Sequence, residues 1–111
     1  MNYSEMKDHE INAAVGETLG WNDKFIHQDD SVTFRDDLGR LRGRKNYCNS
    51  WTDAGPIIQK YGISLHYIGG GHERGGWGAD DPSGEKYTYN DNPLRAAMVV
   101  FLMMQEKPDA A

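Results

Sequence analysis

The segment that most constrains this chain is its last apolar stretch, which opens on Asn92-Pro93-Leu94-Arg95-Ala96-Ala97-Met98 and runs to Met104. Asn is a preferred helix N-cap, and Pro at the first helical position loses nothing, because that N–H has no partner inside the helix. Leu94, Ala97, Met98, Phe101, Leu102 and Gln105 then recur at helical spacing and predict a buried stripe. Lys107 suits the C-terminal end of the helix dipole, and Pro108 stops the helix. The longest apolar run, Ala96 to Met104, is far too short to span a bilayer. This helix must therefore bury its stripe against protein, and the rest of the chain has to supply the cover.

Two further helices offer it. Ile11, Ala14, Val15, Thr18 and Leu19 form one stripe of an amphipathic helix over Glu5 to Leu19, with Ser4 as its cap and Gly20 as its stop. Trp21 then folds back on the helix end. Ser50 and Asp53 have capping-box spacing for a helix from Trp51 to Tyr61, ended by Gly62, with Ala54, Ile57, Ile58 and Tyr61 inward. Pro56 has to lie near its first turn.

Strands are expected at Lys24–His27, Ser31–Arg35, Ile63–Ile68, Trp77–Ala79 and Lys86–Tyr89. Asp36–Arg44 reads as an exposed, charged loop, and Asp81-Pro82-Ser83-Gly84 as a turn. The fold class that follows is α+β. A small antiparallel sheet of three to four strands packs against three helices, and the N-terminal and C-terminal helices cover it. The length of 111 residues fits one domain, with a loop-rich stretch at 22–46 and a frayed tail at 106–111.

Composition narrows the function classes. A net charge of −5 opposes general affinity for nucleic acid or anionic membrane and suits a partner with a basic surface. The single cysteine, Cys48, can form no internal disulfide, which points to a reducing cytoplasm. Residues 1–10 are polar and acidic and lack the apolar region of a signal peptide.

The candidate chemistry is thin. Gly69-Gly70-Gly71-His72-Glu73-Arg74-Gly75-Gly76 could cradle an anion, with His72 and Arg74 adding charge beside Trp77. It lacks the Gly-Lys-Ser/Thr ending of a P-loop and joins two strands, so a hairpin loop accounts for it as well. His66, His72 and Glu73, or His27, Asp29 and Asp30, have no recognised metal spacing, and no cofactor is expected. Nothing fixes a base beside Cys48, and the adjacent carboxylates Asp29-Asp30, Asp36-Asp37 and Asp80-Asp81 read as solvated. The basic run Arg40–Lys45 is offset by acidic neighbours. The aromatics exceed what a small core needs. Trp51, Tyr67, Trp77, Tyr87 and Tyr89, with His66, His72, Glu73 and Arg74, are the candidate recognition residues.

Several motifs occur in a telling order: Leu19-Gly20-Trp21, Tyr47-Cys48-Asn49-Ser50-Trp51, Gly55-Pro56-Ile57-Ile58, Gly62-Ile63-Ser64-Leu65, Trp77-Gly78-Ala79 and Asn92-Pro93-Leu94-Arg95-Ala96-Ala97-Met98. This order resembles the NinX-like group of small accessory proteins from tailed phages and prophages of enteric bacteria, and it also looks like the related phage αβα-sandwich domain. The resemblance implies a fold and a phage origin, and with the single cysteine the expected compartment is the host bacterial cytoplasm. It carries over no catalytic residue. The expectation is a non-enzymatic accessory protein that binds and inhibits a host or anti-phage defence protein. A nucleotide- or small-ligand-sequestering protein, able to assemble as a homo-oligomer, is the alternative. A hydrolase or transferase using His66 or His72 is the third reading.

Overall fold

The computed structural model describes residues 2–69, 71 and 73–106. After a 3-10 turn at Tyr3–Glu5 come α1 (Asp8–Thr18), β1 (Asp23–Ile26), β2 (Val32–Arg35), β3 (Leu41–Lys45), α2 (Trp51–Tyr61), β4 (Ser64–Tyr67), β5 (Trp77–Asp80), β6 (Tyr87–Asn90) and α3 (Pro93–Gln105). The α+β class is as expected. The strands, however, form two antiparallel sheets of three, β1-β2-β3 and β4-β5-β6, instead of one.

The helices divide between them. α1 packs on β1 and β2, whereas α3 packs on all three strands of the second sheet, and the two helices pack on each other. α2 covers another side of α3. This explains why α3 exceeds its expected stripe: every residue from Ala96 to Leu102 is buried, while Gln105, placed in the stripe by spacing, is exposed. One apolar cluster runs from Ile11, Val15, Val32 and Phe34 through Tyr47 and Ile57 to Ala79 and Phe101.

Local chemistry sets the helix ends. Asn92 caps α3 by accepting from the N–H groups of Leu94 and Arg95, with Pro93 first in the helix. The N–H of Gly20 donates to Glu17 O and that of Trp21 to Gly16 O, and Gly20 holds the positive φ that this double-bonded stop requires. Trp21 turns back as expected, its ring 5.7 Å from that of Phe34. The start of α1 differs from expectation. Ser4 donates to Asn2 instead of capping, and Glu10 accepts from the N–H of Lys7, which starts the helix at Asp8. In α2, Ser50 accepts from the Asp53 N–H, but the Asp53 carboxylate turns to the N–H of Asn46, so the cap is one-sided. Pro56 lies in the second turn, sixth in α2, where its ring sits exposed and its missing N–H leaves Thr52 O without the usual helical donor.

The expected loop Asp36–Arg44 is a tight turn followed by β3. Asp36 accepts from the backbone N–H groups of Leu38 and Arg40 and pairs with the Arg40 side chain at 2.9 Å. Lys107 and Pro108, expected at the end of the last helix, lie outside the described residues.

Candidate functional site

The second sheet sorts the candidate residues by face. Pairing sets Tyr67 opposite Trp77, His66 opposite Gly78, Gly78 in turn opposite Tyr89, and Asp80 opposite Tyr87. Leu65, Ala79 and Thr88 face α3, so strand alternation puts His66, Tyr87 and Tyr89 on the outer face. The His66 ring lies over Gly78: a Cβ built there would stand 2.9 Å from the ring. Tyr87 is 54% exposed and meets Tyr89 edge to face at 6.2 Å. The Arg74 guanidinium sits over the Tyr89 ring at 5.6 Å, bringing the glycine loop onto this face.

Tyr67 and Trp77 form a second group. They share the inner face by parity but lie at the end of the sheet, where Tyr67 is 67% exposed and its ring packs edgewise on Trp77 at 5.2 Å. Trp51, 58% exposed as the first residue of α2, belongs to neither group. Glu73 is exposed in the loop, and His72 lies outside the described residues.

The glycine loop is more tightly held than a hairpin of glycines suggests. Gly76 O accepts from the N–H groups of Ile68 and Gly69, and the Gly76 N–H donates to Asp91. Gly75 has φ +121, and a Cβ there would strike the Asn90 backbone, so both conformation and closeness demand glycine. These glycines serve packing against β6. Beside the loop, a cleft of about 520 Å³ opens between β6, α3 and the N-terminal 3-10 turn, lined by Met6, Arg74, Tyr89, Arg95 and Val99 among others.

The remaining candidates are taken up locally. Cys48 is fully buried, its Sγ facing Asp8 O at 3.9 Å. Burial, and secondarily the Asp8 charge, push its thiol up to about 12, far from a thiolate nucleophile. His27 bonds Thr33, Asp29 bonds Ser31 and Arg44, and Asp30 bonds His9, so that trio disperses. Arg42 stacks on Trp21 at 5.3 Å, and Lys45 lies 3.9 Å from Asp53. Among the described residues, no three His, Cys, Asp or Glu side chains gather as a metal site. No helix among them is long and apolar enough to cross a membrane.

A polar knot was missed by residue-by-residue reading. Asn12, completely buried in α1, donates to Asp30 O and to the Asn46 side chain and accepts from the Cys48 N–H at 3.0 Å. Asn92 donates to Cys48 O at 2.6 Å and to Asn49, which in turn donates to Asp8. Arg95 closes the ring with Asp8 at 2.6 Å and reaches the carbonyls of Tyr3 and Met6. The knot ties α1, the β3–α2 loop and α3 together. Its residues include Cys48 and Asn49 of one resemblance motif and Asn92 and Arg95 of another.

The family model for NinX of bacteriophage P22 matches residues 2–105, nearly the whole chain. The chain belongs to that family. It is a small phage accessory protein of the NinX family, and two of the motifs that signal membership build the polar knot, while Trp77-Gly78-Ala79 forms the middle strand of the second sheet. No curated protein matches the chain.

Proposed function

We propose that this NinX-family protein acts without catalysis, by binding a host or anti-phage defence protein through the outer face of its second sheet and blocking it. The observation that supports this most is the cluster of Tyr87, Tyr89, Arg74 and His66 on that face, continued at the sheet end by Tyr67 and Trp77. Tyr, Trp and Arg supply large, rigid contact area and dominate interface hot spots. The net charge of −5 suits a partner with a basic surface, which it would steer into encounter. Burial of Cys48, whose thiol is pushed up in pKa, does not favour nucleophilic attack by it.

The cleft of about 520 Å³ favours a second reading, sequestration of a small ligand. Its volume falls within the usual range for ligand sites, and Arg74 over Tyr89 would meet a planar anion at its mouth. One preparation tests both. Affinity capture of the chain from phage-infected host cells should return a stoichiometric protein partner. Native mass spectrometry of the eluate would reveal a retained small mass if the cleft is the working site. A chain that emerges with neither would overturn both readings.

A further inference from the structure

We infer that the first sheet is built to pair with itself, so that two copies of the chain join through β1 into one continuous six-stranded antiparallel sheet. β1 is the outer strand of β1-β2-β3, and all four of its residues are exposed. It carries two exposed apolar side chains, Phe25 at 66% and Ile26 at 45%. An edge strand with exposed apolar residues is a template for another strand, and β1 contains no proline to blunt it.

The ladder fixes which backbone groups are offered. The His27 N–H donates to Ser31 O at 2.9 Å, and the register continues as Ile26 opposite Val32 and Phe25 opposite Thr33. Hydrogen-bonded and non-bonded pairs alternate in an antiparallel ladder. Phe25 is therefore bonded to β2, while Lys24 and Ile26 turn their N–H and C=O groups away from it. A twofold axis at Phe25 sets Lys24 of one copy opposite Ile26 of the second, twice, and so makes four backbone hydrogen bonds from groups that otherwise face outward.

The side chains agree with that register. Phe25 meets Phe25 of the second copy in the close, non-bonded position, where aromatic pairs stabilise a sheet. Asp23 falls opposite His27 of the second copy, so an acid meets a donor instead of its own kind. A one-residue slip would set the outward-facing groups of Lys24 and Ile26 against residues already bonded to β2 and lose these hydrogen bonds. Lys24, the residue best able to protect the edge, is held back by its ion pair with Glu17 of α1 in its own chain. The surface is self-complementary, as an isologous twofold interface requires.

Three measurements on the full chain test this. Sedimentation should find a concentration-dependent dimer, and Phe25→Asp should weaken it by about tenfold or more by placing two carboxylates face to face. Phe25 is exposed, so the variant keeps its fold, as its near-ultraviolet circular dichroism would confirm. Across the axis the two Phe25 Cα atoms stand roughly 4.5 Å apart, within disulfide reach. Phe25→Cys should then oxidise to a linked dimer much faster than Leu38→Cys, at a more exposed position outside the register. Buried Cys48 does not compete. A chain that stays monomeric at every concentration, a dimer indifferent to Phe25→Asp, or equal oxidation of the two cysteine variants would overturn the inference.

Discussion

At the residue scale, two side chains make opposite statements about their surroundings. Cys48 is buried beneath Asp8, and its thiol, pushed up to about 12, stays protonated at neutral pH. The thiolate is the reactive form, so Cys48 should resist a thiol reagent in the native protein and react promptly once the chain is unfolded. Rapid labelling of the folded chain would contradict the burial argument. Asp29 behaves in the other direction. Hydrogen bonds from the Ser31 side chain and backbone, with help from Arg44, hold its carboxyl down to about 2. A depressed folded pKa means that the contribution of these bonds is present above the usual aspartate range and is lost as pH falls toward 2. Ser31→Ala should let the Asp29 carboxyl rise toward about 3.9, the value of a free aspartate, in an NMR titration of side-chain carboxylates. No movement would show that Ser31 is not the cause.

At the scale of elements, the sequence reports what is local and is silent on what is shared. Both capped helices were readable because Ser50 and Asn92 act on N–H groups two or three positions away. The start of α1 was not, because Ser4 had an alternative partner in Asn2 and the Glu10 carboxylate competed for the cap. β3 was hidden for a different reason. Leu41-Arg42-Gly43-Arg44-Lys45 has no apolar alternation, and its pairing with β2 is stabilised by contacts from distant segments, Arg42 on Trp21 and Arg44 on Ser31 and Asp29. Gly16 was likewise invisible as a packing residue. A methyl group there would overlap the Phe34 ring where α1 meets β2. Gly16→Ala should therefore destabilise the fold by about 1–3 kcal/mol despite the better helix propensity of alanine. Chemical denaturation would measure it, and an unchanged or raised midpoint would show that the α1–β2 interface yields easily.

At the scale of the whole molecule, the division into two sheets decides what the surface can do. Nothing in the order of strands distinguishes one six-stranded sheet from two sheets of three. The choice rests on α1 and α3, which pack against each other and each against a different sheet. The same division sorts the aromatic candidates. Alternation along a strand is enough to put Tyr87 and Tyr89 on one side, but only the fold brings Arg74 onto Tyr89, sets Tyr67 and Trp77 at the sheet end, and separates Trp51 from them all. The two sheets thus offer separable surfaces, an aromatic one for a foreign partner and an edge for a second copy. That separation supplies the most direct test of the account. Capture from infected cells should be repeated with Tyr87→Glu, which spoils the outer face of the second sheet, and with Phe25→Asp, which spoils the edge of the first. Loss of the captured partner with Tyr87→Glu alone is the result expected. A partner retained by Tyr87→Glu would contradict the claim that this face is where the protein does its work.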